Sequence, residues 1–113
     1  MYVLSLYLNA DDAFAIPVPL AGRVISGVSV VNDATIDAET TITLTDGTST
    51  IGAFTIAADS AELTVDNLVL DSTTLGKLEV GPSTPIVATM AGGATTPEIM
   101  ISLMIDEHHG AAV

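Results

Sequence analysis

Two histidines near the C-terminus are the first side chains of this sequence that could do chemistry. His108 and His109 directly follow Asp106 and Glu107. Imidazole and carboxylate groups together suit Zn²⁺ or Ni²⁺. Neighbouring residues of an extended chain point in opposite directions, so one chain could hardly bring both histidines to one ion, although a symmetric oligomer could supply one from each subunit. We interpret residues 107–113 as a solvated tail and predict no metal site.

Acidic loops are a second possible ion site. Asp33, Asp37 and Glu39 share one predicted loop, and Asp11 and Asp12 lie in another. Ca²⁺ prefers carboxylate and carbonyl oxygens on flexible loops. The sequence lacks the Asp-x-Asp-x-Asp-Gly spacing of an EF-hand loop, and aspartates in turns commonly accept hydrogen bonds from nearby backbone N–H groups. We therefore predict turn chemistry and no cofactor.

The sequence has few side chains that could act in catalysis. The sequence has two histidines, two Lys+Arg, no cysteine and no tryptophan, and no serine stands in a Gly-x-Ser-x-Gly motif. This favours a non-enzymatic protein with no catalytic residue. Glycan binding usually exploits exposed aromatic rings, of which there are four: Tyr2, Tyr7, Phe14 and Phe54. Three of them precede residue 15, which fits either a glycan site or a packing or docking segment.

Charge and length narrow the class of protein further. The 113 residues fit a single domain, 1–113, with 14 Asp+Glu against 2 Lys+Arg and a net charge of −12. Nucleic-acid binding needs several basic residues, and an anionic membrane surface would repel this chain. The lack of cysteine excludes a disulfide scaffold. No apolar run reaches the length of a membrane-spanning helix, and the first 22 residues lack the positive region of a signal peptide, so we expect synthesis in a cytoplasm.

The residue pattern predicts an all-β protein. Hydrophobic residues make up 49% of the chain, threonine, valine and isoleucine dominate, and turn residues recur every 8–12 positions. The natural architecture is an antiparallel two-sheet sandwich, jelly-roll-like, with eight or nine short strands. The predicted strands are Tyr2–Leu8, Ala13–Leu20, Gly22–Val31, Thr40–Thr45, Thr48–Ile56, Leu63–Leu70, Lys77–Val80, Pro85–Met90 and about Pro97 to Asp106.

Three details of this pattern can be checked against a structure. The pair Asp46-Gly47 suits a type I′ turn between two strands. Gly52 stands where the alternation of the next strand changes parity, which predicts a β-bulge. In the strand Gly22–Val31, period-two alternation places Val24, Val28 and Val30 on one face.

The N-terminal segment 1–20 predicts a strand followed by an edge strand or an arm that lies on a neighbour. Pro17 and Pro19 cannot donate ladder hydrogen bonds, which restricts the segment Ala13–Leu20 to an edge or an arm. Phe14 and Ile16 add apolar side chains to that segment. We predict that Phe14, Ile16, Pro17 and Pro19 contact a partner protein or another subunit.

The last strand is apolar on both faces. Its isoleucines and Leu103 share one face, and Met100, Ser102 and Met104 share the other. A strand of this kind is central in a sheet or takes part in a subunit contact. Met100 and Met104 are therefore the second set of predicted contact residues.

Residues 22–56 resemble small β-sandwich structural proteins of tailed bacteriophages, including head decoration (cement) proteins. The shared pattern is a valine-rich strand, an acidic loop, a threonine-rich hairpin and a short return that begins Ile51-Gly52. Farther on, VGPSTPIVATMAGG followed by IMISLMI is similar to the closing half of such modules. The matching positions are Gly81, Ile86, Val87, Gly92, Gly93 and Ile99–Ile105.

The resemblance covers roughly residues 20–106 and implies a symmetric homo-oligomer, commonly a trimer, seated on the major capsid protein. It implies no catalytic residue. We therefore expect a virion protein, made in the host cytoplasm, that stabilises a phage capsid by bridging shell subunits. The alternative is a tail- or fibre-associated β-sandwich module that binds host-surface glycan. Neither expectation involves nucleic acid or a membrane.

Overall fold

The structure is a computed structural model that describes residues 1–32, 35–71, 79–94 and 97–107. These residues form ten strands and no helix. The prediction of an all-β fold is confirmed, with one strand more than the upper number expected. The strands are β1 (Tyr2–Leu8), β2 (Ala13–Ile16), β3 (Gly22–Val31), β4 (Thr40–Thr45), β5 (Thr50–Ile56), β6 (Val65–Asn67), β7 (Val69–Leu70), β8 (Glu79–Val80), β9 (Ile86–Ala91) and β10 (Ile99–Glu107).

The strands pair in a nested order that makes a jelly roll. The first sheet runs β1-β10-β3-β6, with β8 paired to the beginning of β3, and the second runs β2-β9-β4-β5-β7. All pairs are antiparallel. The first strand therefore pairs with the last, the second with the next to last, and so on inward to the β4–β5 hairpin. This is the winding of a jelly roll, so the predicted two-sheet sandwich is confirmed.

One apolar core fills the space between the sheets. Its largest members are fully buried: Phe54, Leu8, Ile36, Ile42, Leu44, Ile51, Ile56, Ile86, Met90, Ile99, Ile101 and Leu103. The isoleucine face of β10 points into this core, and β10 lies between β1 and β3. A strand with neighbours on both sides pairs all of its backbone groups. Of the two alternatives predicted for the last strand, the central position is observed, and a subunit contact through its other face stays a prediction.

The face assignment predicted for β3 is wrong because the strand carries an irregularity. The pairing of β10 with β3 shifts register between Met104 and Ile105, which leaves Ile25 as an extra residue. An extra residue reverses the alternation on either side of it. Val24 is therefore buried, whereas Val28 is 41% exposed and points outward with Val30.

The β4–β5 hairpin turns one residue later than predicted. Its strands end at Thr45 and begin again at Thr50, and the backbone N–H of Asp46 donates to Ser49 O at 3.1 Å. Gly47 has φ +98°, but Thr48 does not have a positive φ. A type I′ turn needs positive φ at both central residues, so that prediction is wrong. The predicted bulge is confirmed, because pairing shifts between Leu44 opposite Gly52 and Thr45 opposite Thr50.

Two of the weaker predicted strands are shorter in the structure. The Ala13–Leu20 segment is a strand only over β2, because the residues after Ile16 include the two prolines. The predicted strand Leu63–Leu70 divides into β6 and β7, which pair with different sheets. Leu63 itself has φ +71°, outside the range that a strand requires. The beginning of the predicted strand Lys77–Val80 lies outside the described residues.

Most of the described acidic side chains lie on loops at one end of the sandwich. Hydrogen bonds join these loops: Gly93 N–H donates to Asp11 Oδ2 at 2.8 Å, and Asn32 N–H to Glu98 O at 2.7 Å. We call this the acidic end. Its described carboxylates are those of Asp11, Asp12, Asp37, Glu39, Asp59, Glu62 and Glu98.

Candidate functional site

The outward side of the first sheet is the most distinctive surface of the described chain. We call it the outer face, formed by the side chains of four neighbouring strands that point away from the second sheet. Its central side chains are all uncharged in a protein with a net charge of −12, and the two charged side chains that point the same way, Arg23 and Asp106, lie together at one end. The outer face consists of Val3, Ser5, Tyr7, Ser26, Val28, Val30, Val65, Asn67, Met100, Ser102 and Met104.

Several apolar side chains of the outer face are open to solvent. Strand registers place them in contact range: Val3 lies opposite Met104, and Tyr7 lies opposite Met100. A depression of about 200 Å³ lies near the centre, between Val3, Ser26, Val28, Asn67 and Met104. The exposed fractions are 55% for Val3, 39% for Tyr7, 41% for Val28, 57% for Val65 and 36% for Met104.

Charged groups lie at the two ends of the outer face. At one end the Arg23 guanidinium and the Asp106 carboxylate are 3.9 Å apart. At the acidic end, Tyr7 Oη donates a hydrogen bond of 2.6 Å to Glu98 Oε1. An apolar centre bordered by polar and charged groups is the usual anatomy of a protein–protein interface.

Met100 and Met104, predicted as contacts, both lie on the outer face. Met104 is at the edge of the central depression, and Met100 is half-buried between Tyr7 and Val30. Methionine adapts its shape to irregular partners because its side chain is unbranched and polarisable. The valines that surround them were not among the predicted contacts. A glycine within a strand often marks a bulge, so Gly27 could have signalled the change of face in β3.

The residues predicted in the N-terminal segment lie elsewhere, at the side of the sandwich where β1 and β2 meet. Of the two alternatives predicted for this segment, Ala13–Ile16 is an edge strand, paired with β9. Ile16 is 5% exposed and belongs to the chain's own core, and Phe14 packs against that core. The side chain of Ile16, which was predicted to contact another protein, is therefore part of the chain's own core.

Pro17 and Pro19 are exposed and line a groove between the two sheets. Leu4 of β1 forms one wall of this groove. The other lining residues are Ala15, Pro17, Val18, Pro19, Pro82 and Pro85. The six predicted contact residues therefore do not form one surface: two lie on the outer face, two in this groove and two against the core.

Backbone N–H groups donate to the carboxylates of three loop aspartates, Asp11, Asp12 and Asp46. Asp46 Oδ1 accepts hydrogen bonds from Ser49 N–H at 2.6 Å and Thr48 N–H at 2.9 Å. These two donors hold the pKa of Asp46 below its ordinary value of 3.8. Asp11 accepts the Gly93 N–H, as described above. Within the described ranges no group of three or more His, Asp or Glu side chains is placed to hold a metal ion.

Three residues that were considered as possible ion ligands are not covered by the structure's description. His108, His109 and Asp33 lie outside the described residues. Among the aromatic rings, Phe54 is buried in the core, and Tyr2 Oη donates a hydrogen bond to Leu20 O. Partial burial raises the pKa of Tyr2, and the neighbouring Glu107 carboxylate adds to that rise.

Comparisons with known proteins give no relative for this chain. No family model, curated protein or solved structure matches it. In the described segments, no helix is long and apolar enough to cross a membrane.

Proposed function

We propose that this chain is a non-enzymatic structural protein of a tailed-phage virion that decorates the head and binds the major capsid protein. The observation that carries the proposal is the uncharged, partly apolar outer face on a strongly acidic protein. Exposed apolar patches with a polar border mark sites of protein association. The jelly roll occurs in capsid and lectin domains alike, so the fold is compatible with this role without deciding it.

The proposed mechanism is mechanical. A protein that bridges neighbouring shell subunits adds contacts that must break before the shell can expand. Each contact can be modest because many identical copies act together. The docking surface must rely on apolar and backbone contacts, since Arg23 is the one Lys or Arg in the described chain and it is already close to Asp106. The outer face supplies such contacts, with Met104 and Val28 near its centre.

The trimer that the resemblance implies remains a prediction about the assembled protein. Native mass spectrometry of the full chain measures the number of copies directly. A strict monomer would contradict the expected homo-oligomer.

The experiment uses particles and a matched pair of variants. In purified heads of the virus that encodes the chain, we expect the chain at a copy number comparable to that of the major capsid protein. Purified chain should rebind heads stripped of it. Met104→Lys should weaken that rebinding at least about tenfold, because it places a charge in an apolar contact.

Thr55→Lys is the matched control. Thr55 is exposed on the second sheet, so the variant adds the same charge away from the outer face. The control should rebind as the natural chain does. Equal rebinding by both variants would contradict docking through the outer face, and a copy number typical of tails would contradict decoration of the head.

Glycan binding is the alternative, and one contact favours it. Tyr7 is a partly exposed aromatic ring next to the Glu98 carboxylate, and sugars are bound by rings and hydrogen-bonding groups together. In a glycan array, specific binding that Tyr7→Ala abolishes would support a tail or fibre module. Absence of binding in the array, with stoichiometric binding to heads, would exclude it.

A further inference from the structure

The four edges of the two sheets are not equally protected against pairing with another strand. In the described part of the chain, β6 is a three-residue edge and β7 a two-residue edge. The β2 edge has four residues and is followed by Pro17 and Pro19, which cannot donate hydrogen bonds. Short strands and prolines are the usual means by which proteins prevent edge-to-edge association.

The β1 edge lacks these protections. It is seven residues long, YVLSLYL, with no proline and no charged residue. It pairs with β10 on one side, and no described strand pairs with its other side. A long, uncharged edge strand is a template for an added strand.

Beside this edge, the inward side chains of β1 are incompletely covered. Leu8 is fully buried, but Leu4 and Leu6 are only half-buried although they point toward the core. Leu4 forms a wall of the groove that Pro17 and Pro19 line. An added strand would cover Leu4 and Leu6 and remove this apolar surface from water.

We propose that the occupant of this edge is β1 of a second copy, paired antiparallel about a two-fold axis through Ser5. In that register Leu4 lies opposite Leu6 of the second copy, and Val3 lies opposite Tyr7 of the second copy. The sequence around Ser5 has nearly the same pattern read in either direction. A two-fold contact requires such self-complementarity, and pairs of aromatic and β-branched residues stabilise antiparallel strands.

The distribution of charge also favours antiparallel over parallel pairing of the two β1 strands. The acidic end holds many of the carboxylates of each copy, so parallel copies would place two acidic ends together. Antiparallel pairing puts the two acidic ends at opposite ends of the dimer, which reduces their repulsion. It also joins the two outer faces, because Val3 and Tyr7 lie on both the outer face and β1.

Native mass of the full chain, measured across a range of concentrations, tests the pairing. We expect a dimer, or a hexamer if three such dimers form the three-fold assembly that the resemblance implies. Ser5→Lys puts two like charges opposite each other at the two-fold axis and should weaken self-association about tenfold or more. Thr55→Lys adds the same charge on the second sheet and should leave self-association unchanged. Circular dichroism of both variants shows whether they remain folded.

A cysteine at position 5 gives a second, independent readout. The sequence contains no cysteine, so Ser5→Cys introduces a single thiol. Directly opposed residues of paired strands have Cβ atoms about 4.5–5.5 Å apart, close to the spacing of a disulfide. Mild oxidation should convert Ser5→Cys to a covalent dimer, whereas Thr55→Cys should remain largely uncrosslinked.

Three results would overturn the pairing: a monomer at all concentrations, a trimer that Ser5→Lys does not affect, or equal crosslinking of the two cysteine variants. These outcomes are separate from the test of head binding. Self-association of Ser5→Lys tests the pairing alone, because Ser5 also lies on the outer face, and head binding is tested separately with Met104→Lys. A dimer that binds no heads would refute only the function.

Discussion

At the scale of single residues, the glycine pair in the β9–β10 loop shows how closely neighbouring backbones approach. Gly92 has φ +149°, and a Cβ on it would lie 2.2 Å from Glu39 O. Gly93 has φ +77°, and a Cβ on it would meet nothing within 4 Å. Alanine substitutions at the two positions therefore distinguish the cost of a steric collision from the cost of a positive φ alone.

We expect Gly92→Ala to destabilise the protein more than Gly93→Ala. The positive φ alone costs Gly93→Ala about 1–2 kcal/mol. Gly92→Ala adds a collision with a backbone carbonyl, so its loss should exceed about 2 kcal/mol. Urea unfolding followed by circular dichroism measures both free energies of unfolding. Equal losses would contradict the close approach of the β9–β10 loop to residue 39.

Asp46 gives a prediction about pH. Its folded-state pKa is lowered by the N–H groups of Ser49 and Thr48, so the ionised carboxylate stabilises the folded state. That stabilisation is fully present above the ordinary value of 3.8 and is lost as pH falls through the lowered folded-state pKa. Asp46→Asn should therefore be less stable than the natural chain near neutral pH, and the difference should shrink in acid below 3.8.

Asp59→Asn is the control for the loss of one negative charge. Asp59 lies in a turn with φ +66°, a conformation that asparagine also adopts. Thermal unfolding between neutral pH and strong acid compares the two variants. If Asp46→Asn and Asp59→Asn follow the same pH dependence, the hydrogen bonds to Asp46 do not stabilise the fold.

At the scale of strands, β10 has two different apolar faces, and substitutions should distinguish them. Ile101 is fully buried, whereas Met104 is 36% exposed on the outer face. Ile101→Ala should cost about 2–5 kcal/mol, because it removes buried methyl groups and leaves a cavity. Met104→Ala should cost under about 1 kcal/mol. Denaturant unfolding checks both values, and a large cost for Met104→Ala would contradict its outward position.

Strand patterns were predictable where alternation is uninterrupted. The bounds of β1, β3 and β4 match their predictions, since each is a continuous run of β-forming residues between turn residues. Period-two alternation could not show that the side chains of β3 change faces at Ile25. Ile25 is an extra residue only in relation to the paired residues of β10. Neither could alternation show that Ile16 is buried by β9 and the core, which depends on pairing between distant segments.

The candidate site was predictable in part for the same reason. Met100 and Met104 are recognisable because their strand is apolar on both faces. Val28 and Val65 join them only after the sheet order places β3 beside β10 and β6 beside β3. Period-two alternation predicts the two faces of a single strand. It does not predict which strands lie side by side, and a surface formed by four strands depends on that order.

At the scale of the whole molecule, the distribution of charge predicts a dependence on salt. A net charge of −12 with carboxylates grouped at the acidic end disfavours the compact state through repulsion. Salt screens such repulsion over about 10 Å at 0.1 M. We expect the melting temperature to rise as NaCl increases from low concentration to about 0.5 M, measured by differential scanning calorimetry.

A variant with two fewer charges tests the origin of that rise. Asp59→Asn combined with Glu62→Gln removes two carboxylates from the acidic end and should flatten the salt dependence. Asp71→Asn combined with Glu79→Gln removes two carboxylates elsewhere and should flatten it less. A melting temperature that is constant or falls with salt would contradict the repulsion between the loops.

The nested winding of the strands has a consequence for how the protein folds. β1 pairs with β10, so Ser5 and Ser102, 97 positions apart, have hydroxyl groups within 3.1 Å. Contacts between such distant segments require closure of nearly the whole chain, and folds dominated by them fold slowly, in milliseconds to seconds. On a ribosome, β1 emerges before β10 and has no partner strand until β10 has been made. Its seven uncharged residues are therefore exposed throughout synthesis, the period in which association with the wrong chain is easiest.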